Sequence, residues 1–220
     1  MGFKRLMGWV AVAPNGYVVI LCIAFILHPS SFILSPQSLA QKLQSQFLSA
    51  PAVSLSFDLK NAGHILITAD LKGGHIRLES PSLLIISDGK TVWNYDKTAD
   101  RETIDNVTAG SEFHDPASLF RFADNYTASI AASNGKTRYT LVLTPSQTLQ
   151  SLLKSAGEME SLQLDLELHG NHVMITKASA TSSRGTTQIE HLQIKTLKQV
   201  LSSEFIFTPT ATTKVIDLRE

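Results

Sequence analysis

Apolar and polar positions alternate with a period of two along most of the chain. After Pro51, Val53, Leu55, Phe57 and Leu59 alternate with Ser54, Ser56, Asp58 and Lys60. That is the pattern of a strand with one dry face. Asn61-Ala62-Gly63 turns the chain, and His64 to Leu71 repeats the pattern with Ile65, Ile67 and Ala69 on one side. Gly73-Gly74 turns it again, and Ile76 and Leu78 then alternate with His75, Arg77 and Glu79. Leu83 to Ile86 is a continuous apolar run, which predicts a strand covered on both faces. Asp88-Gly89 separates it from Thr91-Val92-Trp93-Asn94-Tyr95, a hairpin signal in which both turn positions take positive φ. Further strands are predicted at 101–107, at 126–131 and 137–143 around Asn134-Gly135, and at 162–168, where four leucines alternate with Gln163, Asp165 and Glu167. The pattern continues at 173–180, 186–196, 205–207 and 215–216.

Helical spacing is scarce. Residues 41–49 carry Leu43, Phe47 and Leu48 on one stripe. Asp115-Pro116 predicts a helix start, with Asp as N-cap and Pro at the first helical position, opening ASLFRFA. Residues 145–159 read as one helical turn or a loop. The sum is a mainly β chain of about eleven strands with two or three short helices. It has no βαβ rhythm, so the sheet is expected to be antiparallel. A sheet that wide must curl. It either closes on itself or stays an unclosed half-barrel with the helices as a lid. An apolar concave face under a thin lid suits a greasy ligand; a plain packed core produces the same periodicity.

The first 40 residues depart from this pattern. Twenty-five of them are apolar, and no charge occurs between Arg5 and Lys42. Lys4 and Arg5 precede Tyr17 to Leu27, an apolar run of 11 residues, against roughly 20 for a membrane-spanning helix. Ser38-Leu39-Ala40 places small residues where a signal peptidase reads them. The order of parts predicts a secretory signal over 1–40, cleaved after Ala40, with a domain over 41–220; an uncleaved anchor is the alternative. The location expected is then the periplasm. Cys22 follows Leu21 where a lipoprotein signal needs a small residue, so lipidation is not expected.

Composition narrows the chemistry. The 220 residues carry 19 basic and 19 acidic side chains, too little positive charge for a general nucleic-acid binder. Residues 41–220 alone carry 17 basic and 19 acidic groups. One cysteine excludes a disulfide framework and a cysteine-based zinc module. The histidines show no HxH or HExxH spacing, and those at 169 and 172 flank a turn, so they read as surface residues and no metal site is expected. Gly-x-Ser-x-Gly and phosphate-binding loops are absent. Glu158 and Glu160 read as solvated charges, and Asp88 as a turn residue. No catalytic residue, enzyme activity or cofactor is expected.

One stretch adds a family to this reading. LESPSLLIISDGKTVWNYD, Leu78 to Asp96, resembles the most recognisable segment of the periplasmic outer-membrane lipoprotein carrier family (LolA-type), in which an apolar strand runs into Ser-Asp-Gly-Lys and an aromatic strand ending in Trp and Tyr. Arg101 to Ile104, Asp115 to Phe120, Leu143-Thr144-Pro145 and the Phe205-Ile206-Phe207-Thr208-Pro209 close with Val215-Ile216-Asp217 resemble later family segments in order, over roughly 41–220. The resemblance implies an unclosed antiparallel half-barrel capped by helices. It implies a carrier that holds the acyl chains of lipoproteins and delivers them to the outer membrane. The partners implied are acylated lipoproteins, an inner-membrane lipoprotein-releasing ABC transporter and an outer-membrane receptor. Phe47, Leu119, Phe120 and Phe122 are the lid residues it implies, and Phe57, Ile67, Ile76, Leu78, Trp93 and Ile175 the cavity lining. Ordinary core is the alternative reading of each. The sequence departs from the family at Ala69-Asp70-Leu71-Lys72-Gly73-Gly74, where many members carry the Arg-Pro pair that holds the lid shut. A second reading follows: a lipid- or lipoprotein-sensing module of the same fold that regulates a partner protein.

Overall fold

The computed structural model describes residues 34–60, 62–108, 113–135, 137–147 and 159–219. The chain divides into two units, Met1–Phe32 and Ile33–Glu220, and every described residue lies in the second. The expectations for residues 1–33 of the leader, for Cys22, for most of 145–159 and for Glu158 fall outside the described residues.

The strands are β1 (Ala52–Leu59), β2 (Gly63–Asp70), β3 (His75–Glu79), β4 (Leu83–Ser87), β5 (Thr91–Asp96), β6 (Arg101–Asn106), β7 (Tyr126–Asn134), β8 (Arg138–Pro145), β9 (Met159–His169), β10 (His172–Ser182), β11 (Gly185–Leu197) and β12 (Lys214–Asp217). They form one 12-stranded sheet in the order β12-β6-β5-β4-β3-β2-β1-β11-β10-β9-β8-β7. The sheet does not close, and the architecture is that of an unclosed half-barrel. Every pair is antiparallel except β12 on β6, which is parallel. That corrects the all-antiparallel expectation. The chain crosses the outer face between β11 and β12, so it returns to the edge running the same way as β6.

Among the described residues, two helices and a 3-10 turn cover the inner face: α1 (Pro36–Leu48), the turn Pro116–Phe120, and α2 (Phe122–Asn125). Leu39, Ala40, Leu43 and Phe47 form one buried stripe on α1. Beneath it lie Val53, Ala69, Leu141, Leu143, Leu164, Leu166 and Val173, all buried. The predicted helix over 41–49 therefore begins five residues earlier. The Ser35 hydroxyl caps it by accepting from the Ser38 amide at 3.1 Å, and Pro36 sits in its first turn. The predicted single helix after Asp115 is instead broken at Arg121 (φ −83°, ψ 58°). Asp115 makes no side-chain cap; its carboxylate pairs with Arg121 at 2.8 Å, so the expected N-cap is lost to an ion pair. The β4–β5 loop also differs from the two-residue turn expected. Three residues, Asp88-Gly89-Lys90, separate the strands, and only Gly89 takes positive φ (82°). The Asp88 carboxylate accepts from the Lys90 and Thr91 amides and closes the loop. A Cβ on Gly89 would sit 3.1 Å from the Gly74 carbonyl oxygen, so the neighbouring turn also requires glycine there.

On the outer face a second cluster joins Leu84, Ile86, Trp93 and Tyr95 to Val200, Phe205 and Phe207 of the C-terminal segment. Asp100, at φ 45°, fastens that segment. Its carboxylate accepts from Tyr95 Oη, Thr212 Oγ1 and Thr213 Oγ1 at 3.0, 2.7 and 2.9 Å. The threonine hydroxyls, then Tyr95, hold the Asp100 carboxyl below its ordinary pKa of 3.8. This contribution is complete above that value and is lost as pH falls through the depressed one. Protection of the β12 amides, taken relative to their intrinsic exchange rate at each pH, should therefore fall as pH drops below about 4, and Asp100→Asn should abolish that fall. An unchanged acid loss of protection in the variant would assign it elsewhere.

Candidate functional site

Strand register sorts the inner face into rows. The first runs Val53, Ala69, Ile76, Ser87 across β1 to β4, and all four are buried. The segment leading to the lid covers its β4 end: Ser87 Oγ donates to the Phe113 carbonyl at 2.9 Å. The second row runs Ile194, Leu55, Ile67, Leu78, Ile85 across β11, β1, β2, β3 and β4. All five are only half-buried among the described residues. Phe57 and Ile65, paired one row further on, extend the patch. Five strands at the usual spacing span about 19 Å. The result is a continuous apolar trough beside the lid, with no charged side chain in its second row.

The expected site residues divide. Phe57, Ile67 and Leu78 lie together in this trough, and Ile175 is half-buried on the same face over β10. Ile76 shares the face but is 2% exposed beneath the lid segment. Phe47, Phe120 and Phe122 meet under the lid, with ring centroids 5.5 and 6.2 Å from Phe47, and are core. Leu119 is 38% exposed and points away from that cluster. Trp93 pairs with Ile86 in the outer-face cluster, opposite the trough, so it does not line the cavity. The one-residue offset within β5 sends Val92, not Trp93, to the inner side. Leu55, Ile85 and Ile194 were not singled out from the sequence. Leu55 was on the marked dry face of β1, whereas Ile194 becomes its neighbour only through a pairing 139 positions away.

The lid helix is held by amides on both flanks of its buried stripe. On one side Gln37 Nε2 donates to the Ala123 carbonyl, Gln44 Oε1 accepts from the Ala123 amide, and Gln44 Nε2 donates to Asp124, each at 2.8 Å. On the other, Gln46 Nε2 donates to the Val173 carbonyl at 2.9 Å and Gln46 Oε1 accepts from the Val173 amide at 2.8 Å. Lys42 Nζ reaches the Gly170 carbonyl at 3.2 Å. After β2, Asp70 closes a tight turn by accepting from the Lys72 and Gly73 amides.

The outer face carries a cluster that the sequence scatters. Asp58 accepts hydrogen bonds from His64 Nδ1 and His191 Nδ1, both at 2.7 Å. These contacts hold the Asp58 carboxyl below its ordinary range. Among the described residues no group of three or more His, Cys, Asp or Glu is placed to hold a metal ion, and no helix is long and apolar enough to cross a membrane.

The chain is similar in structure to an uncharacterized conserved protein from Thermus thermophilus, at 13% identity and a TM-score of 0.49, over 82% of this chain and 98% of that one. It is also similar to LprF from Mycobacterium bovis, at 10% identity and a TM-score of 0.39, over 77% of this chain and 97% of that one. At these values the likeness assigns no function. No protein-family model and no curated protein matches the sequence.

Proposed function

We propose that this chain binds the acyl chains of lipids or lipoproteins in the trough of its inner face, and that it carries acylated lipoproteins across the periplasm to the outer membrane. The observation that supports this is the half-buried row Ile194-Leu55-Ile67-Leu78-Ile85, an apolar strip left beside a lid. Each methylene buried there contributes about 0.8 kcal/mol. About ten of them supply about 8 kcal/mol, the scale of a micromolar Kd before the cost of holding the chain still. The trough offers no polar recognition within that row, so the grip is on chain length and leaves the attached protein unspecified. The carrier role draws on the family resemblance, with a lipoprotein-releasing transporter as donor and an outer-membrane receptor as acceptor.

A fluorescent palmitate analogue and a purified acylated lipoprotein test the two levels. The protein should bind the first and extract the second from membranes into a soluble complex. Leu78→Lys should abolish both by placing an ammonium in mid-trough, while Trp93→Ala should leave binding intact and lower only stability. Binding that survives Leu78→Lys but fails in Trp93→Ala would move the site to the outer face. Binding of palmitate without extraction of any lipoprotein would favour the sensing role.

A further inference from the structure

The inner face changes character at one strand boundary. The row Ile194-Leu55-Ile67-Leu78-Ile85 continues in register across β5, β6 and β12 as Asn94, Thr103 and Ile216. One row further on, Leu83 of β4 continues as Asp96, Arg101 and Lys214. On β4 both rows present an apolar side chain; on β5 and β6 both are polar. A cavity of about 410 Å³ lies at this step, with Leu83 on one side and Asn94, Asp96, Arg101 and Thr103 on the other. Two cations stand here. Among the described residues the Arg101 guanidinium has one loose partner, Asp96 at 4.0 Å. The Asp96 carboxylate meanwhile accepts from the Thr98 and Ala99 amides at 2.9 and 3.0 Å. Lys214 is exposed opposite Arg101 and makes no ion pair among the described residues. The backbone under both cations is fixed. Asp100, fastened by Tyr95, Thr212 and Thr213, precedes Arg101, and its carbonyl accepts from the Lys214 amide at 3.0 Å.

We propose that this step is a headgroup subsite, in which Arg101, with Lys214 beside it, holds a phosphate joined to the acyl chain that lies in the trough. This rests on the trough being the ligand face, and it names the ligand class as an anionic phospholipid. A guanidinium offers a planar fork that matches two phosphate oxygens. Asn94 and Thr103 add an amide and a hydroxyl donor between that fork and Ile85. The strands of Ile85 and Thr103 are two spacings apart, about 10 Å, so one molecule reaches from the greasy rows to the fork. Asp96 lies on the same row and disfavours a doubly charged head, so the fit is to a phosphodiester rather than a phosphate monoester.

Two probes with the same palmitoyl tail test it: neutral palmitoylglycerol and palmitoyl-lysophosphatidylglycerol, titrated calorimetrically below the concentrations at which they form micelles. At low salt the phosphate probe should bind about tenfold more tightly, an advantage that shrinks as salt screens the half-exposed pair. Arg101→Gln should erase the advantage and leave the Kd of the neutral probe within about twofold, which also shows the fold intact. Lys214→Gln should remove part of it. Arg138→Gln, a cation paired with Glu167 away from this cavity, should change neither probe. Equal affinity for the two probes, or an advantage that survives Arg101→Gln, would overturn the subsite. Displacement of the phosphate probe by inorganic phosphate at equal concentration would show a site for free phosphate and overturn the lipid assignment. Binding of neither probe would overturn the trough itself, and the subsite with it.

Discussion

A chain that begins at Gln41 should unfold at a temperature about 6–24 °C below one that begins at Leu34. The difference lies in the first turn of α1, which runs Pro36–Leu48. Leu39 and Ala40 are completely buried, among Leu43, Phe47 and the leucines of β8 and β9. Removing a buried leucine costs about 2–5 kcal/mol, and losing the Ser35 cap costs about 1 more. The eight helical residues left would be too few to hold a helix without that packing. Against a total of about 5–15 kcal/mol for a domain, the loss reaches a sizeable share of the stability. Thermal unfolding of the two chains measures it. Midpoints within about 2 °C would show that the first turn contributes little. The same packing bears on the expected processing of the leader. A cut after Ala40 would sever a helix inside its buried stripe, so if the leader is removed and the lid is kept, the processed chain should start at or before Ser35, which N-terminal sequencing of the protein from its native source checks.

The alternating runs made the strands readable, because a half-buried sheet writes its two faces into the sequence with period two. Leu162 to Leu168 and Val53 to Leu59 are strands along their whole length. What resisted reading was anything decided between distant segments. β12 reads as one more strand, yet its parallel pairing with β6 follows from where the preceding segment crosses. Asp58 and its two histidines are ordinary surface residues until β11 lands beside β1, 133 positions from Asp58 to His191. The α1 boundary was missed for a different reason. Small residues at 38 and 40 suit a processing signal and a tightly packed helix equally well, so the pattern did not mark Leu39 and Ala40 as part of the helix's buried stripe. The site was half legible. Phe57, Ile67 and Leu78 follow from alternation, whereas Trp93 does not, because a resemblance marks a residue as characteristic without saying which face of the strand it takes.

Phe120→Ala should lower stability by about 3–5 kcal/mol, while Leu119→Ala next to it should change it by less than about 0.5 kcal/mol. The two were expected to act alike in the lid. The 3-10 turn sends them in opposite directions, Phe120 to 1% exposure and Leu119 to 38%. Phe120 stacks its ring 5.5 Å from Phe47 of α1, and Phe122 approaches the same ring edge-on at 6.2 Å. One ring from each of three segments therefore meets under the lid, in geometries that add about 0.5–1.5 kcal/mol per pair to the area buried. Phe120→Ala removes one of the two rings packed on Phe47 and leaves a void that α1 cannot fill, because Gln46 and the Gln37–Gln44 pair fix the helix from both flanks. Urea unfolding of both variants decides it. Equal losses would mean that the turn does not hold the two side chains apart. A large loss at Leu119 alone would mean that its exposed side chain, and not the ring cluster, is what joins the lid to the sheet.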